Sequence, residues 1–414
     1  MRPSPFAIAG IALSVVSAAA ADDLVVHAVG AARGLRVEAP VPWIEGGFGR
    51  LGEGGDASTF ENAARAEAHL GLEWSPAATL LVSLHGTARS EPGAAGGSRV
   101  GLVEGFVQYR PELRPDLALK LRAGLFFPPT SLENADPLWQ SPYTLTLSAV
   151  NSWIGEEVRF GGLDAAIVRG SAGRGRLELA ASVFGGNDAA GALLAWRGWA
   201  FGPRLAVVGE VLPLPPLPTL GPGGPFERQR DDGTRPIEEL DGRAGWHARA
   251  RWTRPGRLRL QAAWTDNRGD RELHRGQYAW ATRWATAGAE LAVWRFRFVG
   301  EGVVGDTGMG PRDAGVDVRF RAVYALATIA DGAGRVRLSA RYDAFRNTDR
   351  DGHDEPDGES GHAFTVAALV SPRRWLRLGV EYVDLRSERP AAAFSGADLR
   401  NDGRRGQAEL RVVF

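Results

Sequence analysis

Strict alternation of apolar and polar residues runs through the last ten residues of the chain, 405–414. Reading every second position together separates an apolar set from a polar set: Ala408, Leu410, Val412 and Phe414 against Gln407, Glu409 and Arg411. Successive side chains of a β-strand point to opposite faces, so this segment is predicted to be a strand with one apolar and one wetted face. A half-buried strand of a soluble sheet alternates in the same way, so the prediction depends on repetition along the chain.

The same period-two pattern recurs from residue 63 onward. It is seen in segments 63–74, 79–89, 99–110, 117–127, 257–265 and 335–343. Segments of about ten residues have the length of a tilted membrane crossing. Counting them gives about eighteen strands, or sixteen if two weak segments are left out. The pattern therefore favours an all-β chain.

Short and long connections alternate between these segments. Short turns are predicted at 171–175, 202–203, 255–256, near 288, at 331–334 and at 371–373, and long polar connections at 128–155, 213–240, 267–276, 303–314, 347–361 and 387–403. In a membrane barrel only one rim carries long loops. The prediction is a transmembrane antiparallel up-and-down β-barrel of 16–18 strands, with short periplasmic turns and long outer loops. A soluble sandwich or propeller is the alternative, but its outer faces should be polar and no blade-length repeat is present.

The N-terminus has the pattern of an export signal. Arg2 precedes an apolar run over 6–16, and a Ser-Ala-rich stretch at 17–21 ends before Asp22. This build predicts a cleaved signal peptide over 1–21, because the apolar run is too short to span a membrane as an anchor. Residues 22–42 are interpreted as a periplasmic lead-in and 43–414 as the barrel, with its first strand at 43–51. The predicted location is the bacterial outer membrane.

Composition narrows the chemistry. The 414 residues have a formal net charge of +0 and no cysteine. Absence of cysteine excludes disulfides, thiol nucleophiles and thiolate metal sites, and the charge balance gives no reason to expect a nucleic-acid partner. Lys120 is the only lysine among 49 basic residues. No cofactor is predicted.

Side-chain parity assigns arginines to the lumen. A one-residue slip would turn them into hydrocarbon, at a cost of roughly 2–4 kcal/mol each. The predicted pore-lining residues are Arg122, Arg249, Arg251, Arg259, Arg295, Arg297, Arg319, Arg321, Arg337, Arg341, Arg377 and Arg411. An excess of cations in a channel concentrates anions. The alternative is that these arginines pair with acids on neighbouring strands and stiffen the wall.

Segment 128–155 is long and rich in aromatic residues. A loop of this length is usually functional or disordered, and this one is too apolar for disorder. We expect it to fold into the lumen as a constriction that involves Glu133, Trp139, Tyr143, Trp153, Glu156, Glu157 and Arg159. The alternative is a loop packed over the outer mouth.

Residues 122–134 carry a family resemblance. A charged strand runs through Gly124 to Pro128-Pro129 and then to Ser131-Leu132-Glu133, which resembles the strand-to-loop passage of porins related to the phosphate-selective O and P group. The terminal strand resembles the closing strand of outer-membrane barrels, in which a C-terminal Phe serves assembly. The resemblance implies a passive channel with a basic anion path. It further implies a homotrimer, contact with outer-membrane lipid and lipopolysaccharide, and engagement of the barrel-assembly machinery through Phe414. Near-absence of lysine departs from the family pattern, so no phosphate ligand is carried over.

Two other functions stay open. An outer-membrane enzyme needs a nucleophile beside a base, and His69 and His85 could meet on adjacent strands, with Ser83 and Thr87 beside His85. A structural or adhesive barrel plugged by its loops needs no chemistry at all. The sequence favours a non-enzymatic diffusion channel for small hydrophilic solutes that leans towards anions, with the plugged barrel as the alternative and a barrel enzyme third.

Overall fold

Sixteen antiparallel strands close into one barrel. The computed structural model describes residues 24–90, 100–171 and 173–414, and the predicted signal peptide lies outside them. The barrel strands, numbered here in chain order, are β1 Leu24–Glu38, β2 Glu61–Ala77, β3 Leu80–Arg89, β4 Val100–Tyr109, β5 Leu117–Phe126, β6 Phe160–Ser171, β7 Gly175–Gly185, β8 Gly245–Arg254, β9 Leu258–Asp266, β10 Ala281–Val293, β11 Phe296–Met309, β12 Val316–Ala330, β13 Val336–Asp349, β14 Glu359–Arg373, β15 Leu376–Glu388 and β16 Gly403–Val413. Helix α1 spans Ala149–Glu157 and helix α2 spans Glu227–Asp232. Three short strands, Glu112–Arg114, Leu273–His274 and Gln277–Tyr278, lie in the connections.

The chain ends close the sheet. Strand β1 pairs with β2 on one side and with β16 on the other, where Val29 lies opposite Val413. The Phe414 N–H donates to the Ala28 carbonyl at 2.8 Å, and the Ala28 N–H donates to the Phe414 carbonyl at 3.0 Å. Each terminal strand thus has two neighbours, which removes the edges that an open sheet would expose.

Connection lengths separate the two rims. One rim has the short connections 78–79, 110–116, 255–257, 294–295, 331–335 and 374–375, together with residues 173–174 before β7 and both barrel termini. The opposite rim has the connections 39–60, 127–159, 186–244, 267–280, 310–315, 350–358 and 389–402, and the end of β3 at Arg89 and the start of β4 at Val100 lie there too. This confirms the predicted up-and-down barrel, at the lower strand count.

The predicted lead-in at 22–42 is wrong for Leu24–Glu38, which form β1. The expected first strand at 43–51 begins instead with a short 3-10 helix over Trp43–Glu45. Strand β1 escaped prediction because its inward face holds Val29, Leu35 and Val37 beside Arg33. Apolar residues on the lumen side blur the alternation on which the sequence reading depended.

Two predicted turns and one predicted long connection are wrong. Gly288 lies in the middle of β10, and residues 303–309 of the predicted connection 303–314 belong to β11. Residues 202–203 lie within the single long connection 186–244. Gly288 serves close packing inside the barrel, since a Cβ there would lie 3.0 Å from the Leu132 side chain.

The barrel exterior is an apolar belt. Large side chains exposed on it include Leu121, Leu163, Ile167, Leu179, Val183, Leu260, Val323, Leu338, Val380 and Leu410. At the short-turn rim the exposed aromatic residues include Trp74, Tyr109, Trp294, Phe296, Trp375 and Phe414. Aliphatic residues between aromatic girdles are the pattern of a lipid-facing barrel surface. No helix in the described ranges has the length and apolarity needed to cross a membrane.

Candidate functional site: a lumen occupied by two inward connections

The connection 127–159 folds into the barrel. Every residue of α1, Ala149–Glu157, is buried. Ser148 caps the helix, since its Oγ accepts the Asn151 N–H at 3.2 Å. Trp153 packs edge-on against Trp284 and Phe320, with ring centroids 5.3 and 5.2 Å away. These two residues face inward from β10 and β12, so the helix lies against the wall inside the lumen.

One arginine of the wall binds this connection. Arg341 of β13 is 0% exposed, and its guanidinium contacts Glu133 at 2.7 Å and Asp343 at 2.8 Å. It also donates to the carbonyls of Thr146 at 2.6 Å and Leu147 at 3.0 Å. A buried cation with two carboxylates and two carbonyls is fully hydrogen-bonded, so Arg341 ties the segment before α1 to the barrel.

Carboxylates complete this attachment from both sides. Glu133 accepts the Ser148 hydroxyl at 2.6 Å and the Asn151 amide at 2.9 Å. Glu381 of β15 accepts the Leu145 N–H at 2.6 Å, and Asp343 accepts the Ala149 N–H at 3.1 Å. Buried carboxylates are stable only when charge-assisted bonds replace water. The connection 127–159 is therefore attached to the inner wall at several points and is not packed over the outer mouth of the barrel.

The C-terminal end of α1 holds a second group of charges. Glu157 accepts the Trp153 indole N–H at 2.7 Å and the Leu193 N–H at 2.9 Å. Burial nonetheless raises the pKa of Glu157 to about 7, because it penalises the charged form. Among the described residues, no cation lies within 4 Å of this carboxylate. Glu156 pairs with Arg197 at 2.6 Å.

Arg159 follows α1, and no carboxylate of the described residues lies within 4 Å of it. It donates to the carbonyls of Ile154 at 3.1 Å and Val158 at 2.7 Å, and its guanidinium lies 3.3 Å from the centre of the Phe127 ring. Burial lowers the pKa of Arg159 to about 9. The same Phe127 ring is stacked on Trp139, with the two ring centroids 4.1 Å apart. The guanidinium thus caps the helix C-terminus, where a cation is favoured.

Tyr143 contacts the pore wall beneath this segment. Its ring is 2% exposed and lies 5.3 Å from the guanidinium of Arg337 on β13. All seven residues predicted for the constriction are therefore in one inward connection and its flanks.

Nine of the twelve predicted pore-lining arginines have inward positions. These are Arg122, Arg249, Arg251, Arg259, Arg297, Arg337, Arg341, Arg377 and Arg411. Arg295 is exposed in the two-residue turn at 294–295. Arg319 and Arg321 face outward, because β12 turns Val318, Phe320, Ala322 and Tyr324 inward instead. The prediction failed here because α1 fills the lumen with apolar side chains, so apolar residues are inside as well as outside.

Most inward arginines have acidic partners. Glu178 pairs with Arg249 at 2.8 Å, and Glu409 pairs with Arg411 at 2.8 Å. Further pairs join Arg259 and Arg297 to Glu290, and Arg377 to Asp136 at 3.3 Å. In the described residues, Arg122, Arg251 and Arg337 have no carboxylate within 4 Å; Arg122 contacts the Phe106 ring at 4.5 Å and Arg251 donates to the Pro129 carbonyl at 2.5 Å. Most inward arginines are thus paired with an acid, and these three are not.

Two cavities open at the short-turn end of the barrel. The larger, about 430 Å³, is lined by the cations Arg110, Arg114, Lys120, Arg176, Arg251 and Arg259 and by the acids Glu112, Asp116 and Glu178. The smaller, about 250 Å³, is lined by Arg374, Arg377 and Arg411 with a single acid, Asp136. Cations exceed acids in both, and low-dielectric walls strengthen their field.

A second inward connection was missed from the sequence. Residues 192–207 are buried, and Trp199 donates its indole N–H to Asn347 at 2.8 Å. The backbone N–H of Trp199 donates to Glu359 at 3.0 Å, and Glu359 pairs with Arg50 at 2.8 Å. The clustered tryptophans Trp196 and Trp199 were the available signal, but the period-two reading assigned this region to strands.

The histidine pair and the acidic loops have structural explanations. His69 and His85 do meet, with Nδ1 and Nε2 3.1 Å apart, but the Thr87 hydroxyl donates to the Ala68 carbonyl at 3.1 Å instead of contacting either ring. Among described residues, Asp188, Glu239 and Asp241 are the one acidic trio whose oxygens lie within 4.8 Å of one another. Asp188 already accepts the Asp241 N–H at 3.2 Å. The Thr87 hydroxyl is therefore not paired with a base.

Comparisons with known proteins agree on the fold. No protein-family model matches the chain, and no curated protein matches it. Among solved structures, the outer membrane channel DcaP of Acinetobacter baumannii matches with a TM-score of 0.56 at 11% identity, covering 95% of this chain and 97% of that one. An anion-selective porin from Comamonas acidovorans matches with a TM-score of 0.54 at 12% identity, covering 94% and 99%. OmpF of Salmonella typhi, in a complex with daunomycin, gives 0.54 at 10% identity, covering 94% and 97%. The fold is that of bacterial outer-membrane porins, and the apolar belt places this barrel in that membrane.

Proposed function

We propose that this protein is a passive diffusion channel for small hydrophilic solutes. The observation that carries the proposal is the inward connection 127–159, bound inside a closed sixteen-strand barrel by Arg341, Glu133 and Glu381. A loop fixed inside a barrel narrows its lumen, and the restricted section sets which solutes pass.

A preference for anions is part of the proposal. Within the described residues, Arg122, Arg251 and Arg337 have no carboxylate within 4 Å. Arg251 lines the cationic cavity at the short-turn end. One structural neighbour is described as an anion-selective porin. Fixed positive charge at the entrance raises the local concentration of anions and repels cations.

The test is solute uptake by vesicles that contain the refolded protein. Swelling should be fastest in gluconate, intermediate in a neutral hexose and slowest in protonated glucosamine, which are matched in size. Arg251→Gln/Arg259→Gln should reduce the difference between gluconate and glucosamine, whereas Arg319→Gln, on the outer face, should leave it unchanged. Equal rates for all three solutes would contradict the anion preference, and no swelling in any of them would contradict the channel.

A second candidate function has its own observation. The complete burial of α1 and of Trp196 and Trp199 fits a structural or adhesive barrel plugged by its connections. The plugged barrel predicts silence in planar bilayers and no swelling. Release of 127–159 by mutation would then create conductance where the wild type has none. An enzyme is the least supported reading, since the Thr87 hydroxyl is used in the fold.

Partners follow from the same proposal. We expect a homotrimer, contacts with outer-membrane lipid and lipopolysaccharide, and recognition of the β16 strand by the barrel-assembly machinery. Phe414 is 65% exposed at the short-turn rim and can be reached there. The proposed likeness to the phosphate-selective O and P group extends to architecture, and phosphate itself is not assigned as the solute. Cleavage of residues 1–21 as a signal peptide also belongs to the proposal.

A further inference from the structure

Arginines form an outward-facing row at one height on half of the barrel. Counted from the short-turn end of each strand, Arg346 stands ten residues beyond Val336 and Arg386 ten beyond Leu376. Arg283 stands ten before Val293, Arg321 nine before Ala330, and Arg404 nine before Val413. All five side chains are exposed. A membrane-crossing strand needs about 9–11 residues, so this row lies where the hydrocarbon layer ends on the long-loop side.

In the described part of the chain, the row is confined to one side of the barrel. The matched outward positions on β6 and β7 are Gly161 and Gly185, and on β9 the residue is Asp266. Arginine abundance in the chain does not explain such a distribution, because random placement would spread them around the barrel. A lipid-facing arginine is costly at the bilayer midplane but not at its interface. The height of the row therefore makes lipid-facing arginines possible, and their placement on one side indicates a binding surface on that side.

Two members of the row face each other without an acid. Arg321 and Arg346 are directly opposite across β12 and β13. Arg283, Arg386 and Arg404 have carboxylates at 3.9, 3.6 and 3.5 Å. In the described residues, neither Arg321 nor Arg346 has a carboxylate within 4 Å or a side-chain hydrogen bond. Like charges directly opposite on a sheet destabilise it. An external anion between the two guanidinium groups would remove that repulsion.

A depression lies beside this pair on the same outer surface. Its volume is about 1240 Å³ and its floor is made of small and apolar residues, including Ala262, Ala285, Ala287, Gly302, Val304 and Val323. Its charged lining is Arg321, Arg346, Arg386 and Arg400 against Glu388 and Asp402. A smooth apolar floor below a cationic edge matches a molecule that has acyl chains and a phosphate headgroup.

We propose that this surface binds a phosphorylated, multiply acylated lipid of the outer leaflet, of the lipid A type. Its phosphate lies between Arg321 and Arg346, and its acyl chains cover the depression from β9 to β12. Charge-assisted bonds from guanidinium to phosphate are among the stronger contacts available at such an interface. The inference rests on the lipopolysaccharide contact proposed above and assigns it a site, but it is independent of channel activity, because these residues face away from the lumen.

The test measures binding of two lipids to the folded protein in detergent by native mass spectrometry. Wild type should bind bis-phosphorylated, hexa-acylated lipid A at least about tenfold more tightly than the same lipid after phosphatase treatment. Arg321→Gln/Arg346→Gln should abolish the preference. Arg335→Gln/Arg374→Gln, the same charge change among exposed residues of the short-turn rim, should retain it.

Several results would overturn the proposal. These are no preference in wild type, a preference that persists in Arg321→Gln/Arg346→Gln, or an equal loss in the control. A change of oligomeric state without a change of lipid binding would assign the surface to a second copy of the chain instead. Heat-dependent gel mobility verifies the folded barrel in each variant. If the double variant fails to fold, Arg346→Gln alone must weaken the preference, or the proposal is wrong.

Discussion

Removal of the Arg341 side chain should release the inward connection while leaving the barrel intact. Arg341→Ala deletes the cation that contacts Glu133 and Asp343, both buried, and two donors to backbone carbonyls of 146–147. The contacts lie between the wall and the connection. The sixteen strand pairings do not depend on them, because those use backbone hydrogen bonds.

The magnitude follows from the charges left behind. Breaking a buried ion pair by removing one partner costs about 3–5 kcal/mol, because the remaining charge is buried and uncompensated. At about 1.4 kcal/mol per tenfold change, this shifts the equilibrium between the seated and released connection by a factor between about a hundred and several thousand. The other anchors, such as Glu381 to Leu145, retain part of the seating.

The assay is limited proteolysis of the folded barrel with chymotrypsin. Cleavage after Trp139, Tyr143 or Trp153 should be slow in wild type, where Tyr143 and Trp153 are buried, and much faster in Arg341→Ala. The matched control is Arg319→Ala, which removes the same residue type from the outward face of β12. Cleavage rates of Arg341→Ala within about twofold of wild type, in a barrel that retains its heat-dependent mobility, would refute the attachment described here.

Three further predictions concern the same connection. Glu157 has its pKa raised to about 7 by burial, so the folded state holds a proton that the unfolded chain releases near pH 4.5. The contribution of Glu157 to stability should therefore be fully present below about pH 4.5 and fall by roughly 3 kcal/mol or less as pH rises to about 7. Denaturant titrations of wild type and Glu157→Gln across this range should differ in that slope, and identical slopes would rule out the titration. Trp153→Ala removes a fully buried ring and should lower the free energy of unfolding by about 3–5 kcal/mol. The folded fraction is measured by gel mobility across a denaturant series, because tryptophan fluorescence changes with the substitution. A loss under 1 kcal/mol would mean that α1 is not packed against Trp284. Deletion of Phe414 removes two backbone bonds to Ala28 and should slow refolding into lipid vesicles, with Val413→Ala as the control that keeps the chain length; equal folding rates for the deletion and wild type would contradict a role in closure.

The outward apolar face is the part of the fold that alternation predicts well. Strands such as β9 and β13 keep Leu260 and Leu338 outside and polar residues inside, so both the strand and its orientation are readable. The pattern fails where the lumen is filled. On β12, Phe320 and Tyr324 pack against α1 while Arg319 and Arg321 face outward, which reverses the expected parity. On β1, Val29 and Leu35 are inside and the strand itself was missed.

The inward connection was predictable from its length and aromatic content, but its attachment was not. Glu133 lies 208 residues from Arg341 in the chain, and no local pattern indicates which of the wall arginines it meets. The second inward connection shows the same limit, because Trp199 and Glu359 are 160 residues apart in the chain and meet only in the folded barrel. Long-range ion pairs inside a barrel are decided by which strands become neighbours, and this information is not local in the sequence.

The most direct test of the central claim is single-channel recording of the refolded protein in a planar lipid bilayer. A loop-narrowed but open lumen predicts discrete, stable conductance steps, and under a salt gradient a reversal potential with the sign of anion selectivity. Inserted barrels of native mobility that carry no current would contradict the channel, and a reversal potential of the opposite sign would contradict the excess of lumen cations.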